Sequence, residues 1–161
     1  MRTVLCIALA FTLFSCGSKP DVLMPIMGEG NAHFRGNSIG DSYEKVLKGA
    51  AKDNPTSTET GVLNCEFKAE DSELLVRYEF DQEKLYAIQA DIFFPDSLKL
   101  NAFEESLINQ YNLAYGEVDE DGGFLVWQHR HSGAELEFSL ADESIEFGQP
   151  KLSLTIYNFG N

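Results

Sequence analysis

The chain has 161 residues and carries 12 basic against 26 acidic side chains, a formal net charge of −14. This length fits a single domain of common size that is able to bury a hydrophobic core. So acidic a surface argues against binding to nucleic acid and against direct docking on anionic lipid head groups. It is compatible with a basic protein partner, or with a solvated acidic surface that has no partner.

The beginning of the chain has the pattern of an export signal. One positive charge, Arg2, precedes an apolar run that ends in Phe14 and the small residue Ser15, directly before Cys16. Because this run is too short to span a bilayer as a helix, it predicts a removable signal peptide at residues 1–15. Cleavage there leaves 11 basic and 26 acidic residues, a net charge of −15.

The segment Leu13-Phe14-Ser15-Cys16 resembles the lipobox of bacterial lipoproteins. In that family cleavage falls just before the cysteine, which then carries a diacylglyceryl group and an amide-linked acyl chain such as palmitate. The resemblance implies that Cys16 is lipidated and holds the mature chain stably on a membrane, since two or more acyl chains suffice for this. The position after the cysteine is Gly17 rather than the aspartate that tends to retain lipoproteins at the inner membrane. The resemblance therefore favours the outer membrane of the bacterial cell envelope. The alternative is an ordinary secretory signal in which Cys16 lies near the cleavage site.

The next segment is predicted to be a tether. Residues 16–35 contain prolines and glycines without periodicity, and they would connect the lipid anchor to a single domain at residues 36–161. A short helix is predicted at the start of that domain, with Asp41 as its N-cap and Glu44 completing a capping box.

Three segments with alternating apolar residues follow the first helix and predict an antiparallel meander with one apolar face. Cys65 alternates with apolar neighbours on the first of them, so it is predicted to be a small core residue rather than a nucleophile. It is also the only cysteine expected in the mature domain outside the lipidation site. The predicted inward-facing residues are Leu63, Cys65 and Phe67, then Leu74, Val76, Tyr78 and Phe80, and finally Tyr86, Ile88, Ala90, Ile92 and Phe94.

A second, longer helix is predicted to begin at Pro95-Asp96-Ser97 and to stop at Gly116. Its apolar stripe comprises Leu100, Phe103, Leu107, Tyr111 and Ala114. Three more strands are predicted at 124–131, 134–140 and 152–159.

The predicted fold is α+β, an antiparallel sheet of about six strands with two helices on one face, in the order α-β-β-β-α-β-β-β. This arrangement is similar to that of small helix-plus-sheet lipoproteins of the outer-membrane-assembly type and of the tandem beta-lactamase-inhibitor-type fold. A likeness at the level of architecture does not license a function.

A partial calcium-loop pattern precedes the first strand of the second half. Glu117, Asp119 and Asp121 place carboxylates at the first, third and fifth positions, and Gly122 stands at the sixth. The twelfth position is Gln128 rather than the bidentate glutamate that closes such a site. The favoured interpretation is an acidic turn that leads into a strand.

His129 and His131 share one face of a predicted strand. They would hold zinc or copper if Glu135 or Glu137 from the neighbouring strand joined them. Since a zinc site needs three or four ligands and only two are evident, a solvated strand end is favoured. Metal binding at these histidines is the third functional hypothesis for this chain.

Catalytic signatures are weak throughout the sequence. Adjacent acids such as Glu104-Glu105 and Asp142-Glu143 are expected by chance in so acidic a chain. The sequence contains no nucleophile elbow, phosphate-binding glycine loop, CxxC or HExxH motif.

The sequence thus predicts a non-catalytic binding or scaffolding module without a cofactor, lipid-anchored in the cell envelope, whose protein partner would be basic. Phe93 and Phe124 fall on the outward side of their strands and would mark a partner surface if both are exposed. The alternative from another class is an inhibitor or immunity protein that blocks a basic toxin or hydrolase.

Overall fold

The computed structural model describes residues 32–57, 61–69, 71–131 and 134–160. Paired β-strands are the main elements of this part of the chain. The predicted signal peptide, Cys16 and most of the predicted tether lie outside these residues. Within them the elements are α1 (Tyr43–Gly49), β1 (Val62–Ala69), β2 (Ser72–Asp81), β3 (Lys84–Phe93), α2 (Ser97–Tyr115), β4 (Asp119–Asp121), β5 (Phe124–His131), β6 (Ala134–Asp142), α3 (Ser144–Phe147) and β7 (Lys151–Asn158).

The seven strands form one antiparallel sheet in the order β1-β2-β3-β7-β6-β5-β4. The first meander ends at β3, α2 crosses over, and the last strand of the chain returns to pair with β3 at the centre of the sheet. The α+β class with an antiparallel sheet is confirmed. The predicted count and order are wrong, because β4 and α3 are additional elements too short to show a periodic pattern.

One face of the sheet carries the hydrophobic core. The register sets Tyr78 opposite both Leu63 and Ile88, and Ile156 opposite both Ile88 and Phe138, so apolar residues alternate in phase across the strands. Both longer helices pack their apolar residues into this core. The buried helix residues are Val46, Leu100, Phe103, Leu107 and Tyr111, with Ala50 at the end of α1.

The register of β3 differs from the prediction at its start. A β-bulge lies between Glu79 and Phe80, so Leu85 takes the buried position and Tyr86 does not. Tyr86 is 39 % exposed and its hydroxyl donates to Glu79. The prediction that Tyr86 faces inward is therefore wrong, because a bulge breaks the simple alternation.

The cap of α1 also differs from the prediction. Ser42 is the N-cap residue, and its hydroxyl accepts a hydrogen bond from the backbone N–H of Lys45. Asp41 instead accepts from the backbone N–H of Ser38 and pairs with the Lys45 ammonium. The predicted N-cap is wrong by one residue, since either residue type suits the position. The predicted capping box of Asp41 and Glu44 is therefore wrong as well, because the residue three positions after Ser42 is Lys45.

The folded domain includes residues that the sequence assigns to the tether. Phe34 is fully buried in the core, and the His33 ring packs edge-on against Phe138. The Arg35 guanidinium pairs with Asp53 at 2.7 Å and lies 3.7 Å above the centre of the Phe67 ring. None of the described helices has both the length and the apolar character needed to cross a membrane.

Candidate functional site

The second face of the sheet is not covered by α1 or α2, and we call it the open face. Strand pairing places two neighbouring rows of side chains across it. The first row is Asn64, Arg77, Gln89, Thr155, Ser139 and Val126, and the second is Glu66, Leu75, Asp91, Ser153 and Ala141.

A groove follows these two rows. One cavity of about 480 Å³ lies over β1, β2 and β3, and a second of about 340 Å³ lies over β3, β7 and β6 beneath α3. The two cavities share Gln89 and Asp91 as lining residues, so together they form a single groove. It crosses five strands, a length of about 19 Å at the usual strand spacing. Short side chains such as Ser139, Ser153 and Thr155 leave this space above the sheet.

Each end of the groove is bounded by chain outside the sheet. At one end Thr56 exchanges two backbone hydrogen bonds with Asn64 of β1. At the other end α3, in the connection between β6 and β7, brings Phe147 over the open face, where it lines the second cavity together with Phe124.

Lys151 is the centre of a buried ionic network beneath α3. It is 3 % exposed, and its ammonium lies 2.6 Å from Glu143 Oε2 and 3.0 Å from Asp91 Oδ1. The Ser153 hydroxyl lies within 2.8 Å of the same two carboxylate oxygens and donates to one of them at a time. The network therefore joins β3, β7 and the β6–β7 connection at the floor of the groove.

Aromatic rings surround this lysine. The Phe147 ring centre lies 3.6 Å from the Lys151 Nζ atom, a cation–π contact, and the Phe93 ring centre lies 5.8 Å away. Phe147 is 50 % exposed and Phe124 is 45 % exposed, whereas Phe93 is half-buried. Both phenylalanines lie on the outward side of their strands, as predicted. The condition that both be exposed is met by Phe124 and only in part by Phe93, which packs beside Lys151.

The ionisable groups of this face are held in their charged forms. Hydrogen bonds from Lys151 and then Ser153 lower the pKa of the Glu143 carboxyl. Burial acts to lower the pKa of the Lys151 ammonium, but its hydrogen bonds to Glu143 and Asp91 outweigh burial and the pKa is raised. Hydrogen bonds from Tyr86 and Arg77 lower the pKa of Glu79. These groups keep constant charge at neutral pH.

The open face has a surplus of negative charge. Four of its basic strand residues each form an ion pair with a carboxylate, namely Lys68, Arg77, Arg130 and Lys151. A fifth, Lys84, is exposed and lies opposite Asp81. Glu66, Asp119 and Asp121 point to the same side, and in the described part of the chain no basic side chain pairs with them. A cationic partner is therefore favoured on this face over an anionic one.

Cys65 behaves as the core residue that its alternation predicts. It is 4 % exposed, and burial, followed by the nearby Asp53 carboxylate, raises the pKa of its thiol to about 11. A thiol with so high a pKa is protonated at neutral pH and is a poor nucleophile.

His129, the member of the predicted histidine pair whose side chain the structure describes, does not lie beside its candidate carboxylates. His129 lies on the core side of β5, where its ring packs 5.1 Å from Tyr115, and it is paired in register with Leu136. Glu135 and Glu137 flank Leu136 and so point to the open face, where Glu135 pairs with Arg130 and Glu137 accepts from Tyr157. His129 and these glutamates therefore lie on opposite faces of the sheet and cannot bind one metal ion together. The side chain of His131 lies outside the described residues.

The calcium-loop candidates lie in and before a strand. Asp119 and Asp121 belong to β4 and Glu117 precedes it, and all three are exposed. An extended backbone spreads these carboxylates along an edge of the sheet instead of curling them around one point. In the described part of the chain, no group of three or more His, Cys, Asp or Glu residues is arranged to hold a metal ion.

Most residues of the groove are not predicted as site residues from the sequence. This holds for Asp91, Lys151, Ser153 and Phe147, and Glu143 is noted there only as one of two adjacent acids. The alternation of Lys151 and Ser153 with Leu152 and Leu154 does indicate that the two polar residues face away from the core.

Comparison with known proteins found no family model, curated protein or solved structure that matches this chain.

Proposed function

We propose that this chain is a lipid-anchored protein of the bacterial cell envelope that acts as a non-catalytic binding module. The groove on the open face is its recognition surface, and a basic protein is its partner. Acylated Cys16 provides the membrane anchor and the residues after it the tether.

One observation carries the proposal: the sheet packs both long helices on one face and leaves a groove on the other. In an antiparallel sheet of this kind the second face is free to meet solvent or a partner. Concave sites of a few hundred cubic ångströms with a few convergent polar groups are typical of ligand and partner recognition. The surplus of carboxylates supports a basic partner, and by the same reasoning it supports inhibition of a basic toxin or hydrolase as a special case.

The ion pairs of the groove favour binding over catalysis. A general acid or base works best with a pKa near the working pH. Glu143 and Glu79 have lowered pKa values and Lys151 a raised one, so each is held firmly in its charged form. Such groups suit a pre-organised recognition surface better than proton transfer.

The anchor is tested by replacing the two cysteines near the beginning of the chain separately. Cys16→Ser should abolish acyl labelling and release the protein from the membrane fraction of its native host. Cys6→Ser, a matched change within the predicted signal peptide, should leave both unchanged. Equal behaviour of the two variants, or a mature protein with an unmodified Cys16 by intact-mass measurement, contradicts lipid anchoring.

The recognition surface is tested by site-specific photo-cross-linking in the native envelope. A photoreactive residue at Gln89, which is exposed at the centre of the groove, should give a protein adduct that fades as salt concentration rises. The same residue at Leu113, which is 90 % exposed on α2, should not give this adduct. Equal adducts from both positions, or none from Gln89, contradict docking on the open face.

A further inference from the structure

We infer that the cavity beneath α3 is a subsite for a lysine or arginine side chain, presented by an extended segment of the partner that lies along the groove. This inference rests on the proposed function and names the chemistry that the same face recognises.

The walls of the cavity suit an organic cation. Phe124 and Phe147 line it and are both about half exposed, so parts of both rings remain uncovered. Aromatic faces attract ammonium and guanidinium groups, and they also pack against the apolar stems of lysine and arginine. An exposed pair of phenylalanines beside carboxylates can therefore contact both the charged group and the apolar stem of a lysine or arginine side chain.

The charge of the lining points the same way. Asp91, Glu143 and Glu146 contribute three carboxylates, against the single ammonium of Lys151. Asp91 remains 44 % exposed although it pairs with Lys151, and Glu146 is exposed on α3. An incoming cation thus meets carboxylates that still reach solvent, whereas an anion would be repelled.

The protein already holds one cation in this way. The buried Lys151 ammonium lies between two carboxylates and under the Phe147 ring, at 3.6 Å from its centre. This internal lysine keeps the surrounding carboxylates and the ring in place, so the subsite is organised before a partner arrives.

The length of the groove favours an extended polypeptide. At about 3.3 Å per residue, its span of roughly 19 Å accommodates about six residues of extended chain. Alternate side chains of such a segment point towards the floor, where the hydroxyls of Ser139, Ser153 and Thr155 lie. Small polar side chains would fit that floor, and one basic side chain would enter the cavity beneath α3.

The test is an NMR titration of the isotope-labelled mature protein with a synthetic peptide of six threonines in which the fifth is replaced by arginine, blocked at both ends. In an extended chain the arginine then shares one side with the threonines at positions 1 and 3. A matched peptide with citrulline, the uncharged analogue of arginine, serves as the comparison. The arginine peptide should shift the resonances of Asp91, Phe124 and Phe147. The citrulline peptide should bind at least threefold more weakly, because both the cation–π and the carboxylate contacts are lost.

Two pairs of variants locate the effect. Phe124→Ala and Glu146→Gln should each weaken binding of the arginine peptide about threefold or more. Leu113→Ala and Glu105→Gln are matched changes at exposed positions of α2 and should leave binding unchanged. All four positions are partly or fully exposed, and spectra of the free variants report whether each one folds.

The peptide experiments would overturn the inference if they gave equal affinity for the two peptides, shifts centred on α2, or the same weakening in both members of a pair. Shifts of the groove resonances on concentrating the protein without peptide would also overturn it, since the face would then contact a second copy of the chain. If the Gln89 cross-link forms while the peptide test fails, docking on the open face stands and only the cationic subsite is wrong.

Discussion

Two buried tyrosines show how differently single residues are accommodated in this core. Tyr78 and Tyr111 are each 1 % exposed. The Tyr78 hydroxyl accepts a hydrogen bond from Asn37 Nδ2 at 3.4 Å. The Tyr111 hydroxyl has no hydrogen-bond partner among the residues that the structure describes, and its ring packs against Trp127 and Phe138. Burial, with a smaller effect of Tyr115, raises the pKa of Tyr111 well above its usual value.

Replacement of Tyr111 by phenylalanine should therefore not destabilise the domain. Removing an unpaired buried hydroxyl leaves the free energy of unfolding unchanged or raises it by about 1 kcal/mol. Tyr78→Phe is the matched control and should lower it by about 1 kcal/mol, because Asn37 loses its partner. Urea unfolding of both variants measures the difference. A larger loss for Tyr111→Phe than for Tyr78→Phe would show that the Tyr111 hydroxyl is satisfied in the native protein.

The β4–β5 hairpin is an element whose turn sets its register. Asp121 pairs with Phe124, so Gly122 and Gly123 alone form the connection, with φ values of +60° and +91°. Two-residue hairpin turns with positive φ at both positions match the twist of the flanking strands, and glycine adopts them without strain. This turn places Asp119 and Asp121 in a strand, which is why the calcium-loop geometry is not formed.

Gly123→Ala should lower the free energy of unfolding by about 1 kcal/mol, because an L-residue is strained in this region of φ. Gly49→Ala is the matched control at the end of α1, where a Cβ atom meets Asn37 Oδ1 at an ordinary 3.5 Å. It should raise the free energy of unfolding by about 0.5 kcal/mol, since alanine is the better helix former. Denaturant titration measures the free energy of unfolding of both variants. If it changed with the same sign in Gly123→Ala and Gly49→Ala, this account of the turn would be contradicted.

Short elements also explain where sequence reasoning reached its limit at the groove. α3 has only four residues, and the structure assigns it no buried residue. Its role comes from Phe147, whose partner Lys151 belongs to the next strand. No periodic pattern marks a contact between a single turn of helix and one lysine.

The stability of the whole molecule should depend on acidic groups that are charged in the folded state. The pKa of Glu143 is lowered from 4.5 by the hydrogen bonds from Lys151 and Ser153. A carboxyl with a lowered folded pKa adds stability above the unfolded value, and this contribution is lost as the pH falls through the folded value. The contribution of Glu143 is therefore complete at neutral pH and fades below about pH 4.5.

Glu143→Gln should reduce stability at neutral pH and flatten the loss of stability below pH 4.5. Glu105→Gln, an exposed change on α2, should keep the profile of the unchanged protein. The free energy of unfolding measured from pH 7 to pH 3 compares the three proteins. A steep acid limb that persists in Glu143→Gln would show that other carboxylates dominate the acid response.

Alternation and helical spacing, read along the chain, were enough to predict the α+β class, the long helix and most strands. They also placed Cys65 correctly in the core. These features depend on residues that are close in sequence. A strand or helix with one buried face has apolar residues at a regular spacing, and that spacing is visible in the sequence. The errors at Tyr86 and at the N-cap of α1 arose where a bulge or an equally suitable neighbour shifts the pattern by one residue.

The groove and its charges depend on contacts between distant parts of the chain. β7 lies between β3 and β6, which brings Ser153 beside Asp91 although 62 positions separate them in sequence. The register of β5 with β6 likewise sets His129 opposite Leu136, so that Glu135 and Glu137 lie on the other face of the sheet. Local patterns specify which side of a strand is apolar, whereas strand order and register specify which polar residues meet on the other side. Strand order and register are set only when the whole sheet assembles. The hydrogen bonds of each pairing are made by backbone groups that every residue type shares, so the local sequence does not specify which strands will pair.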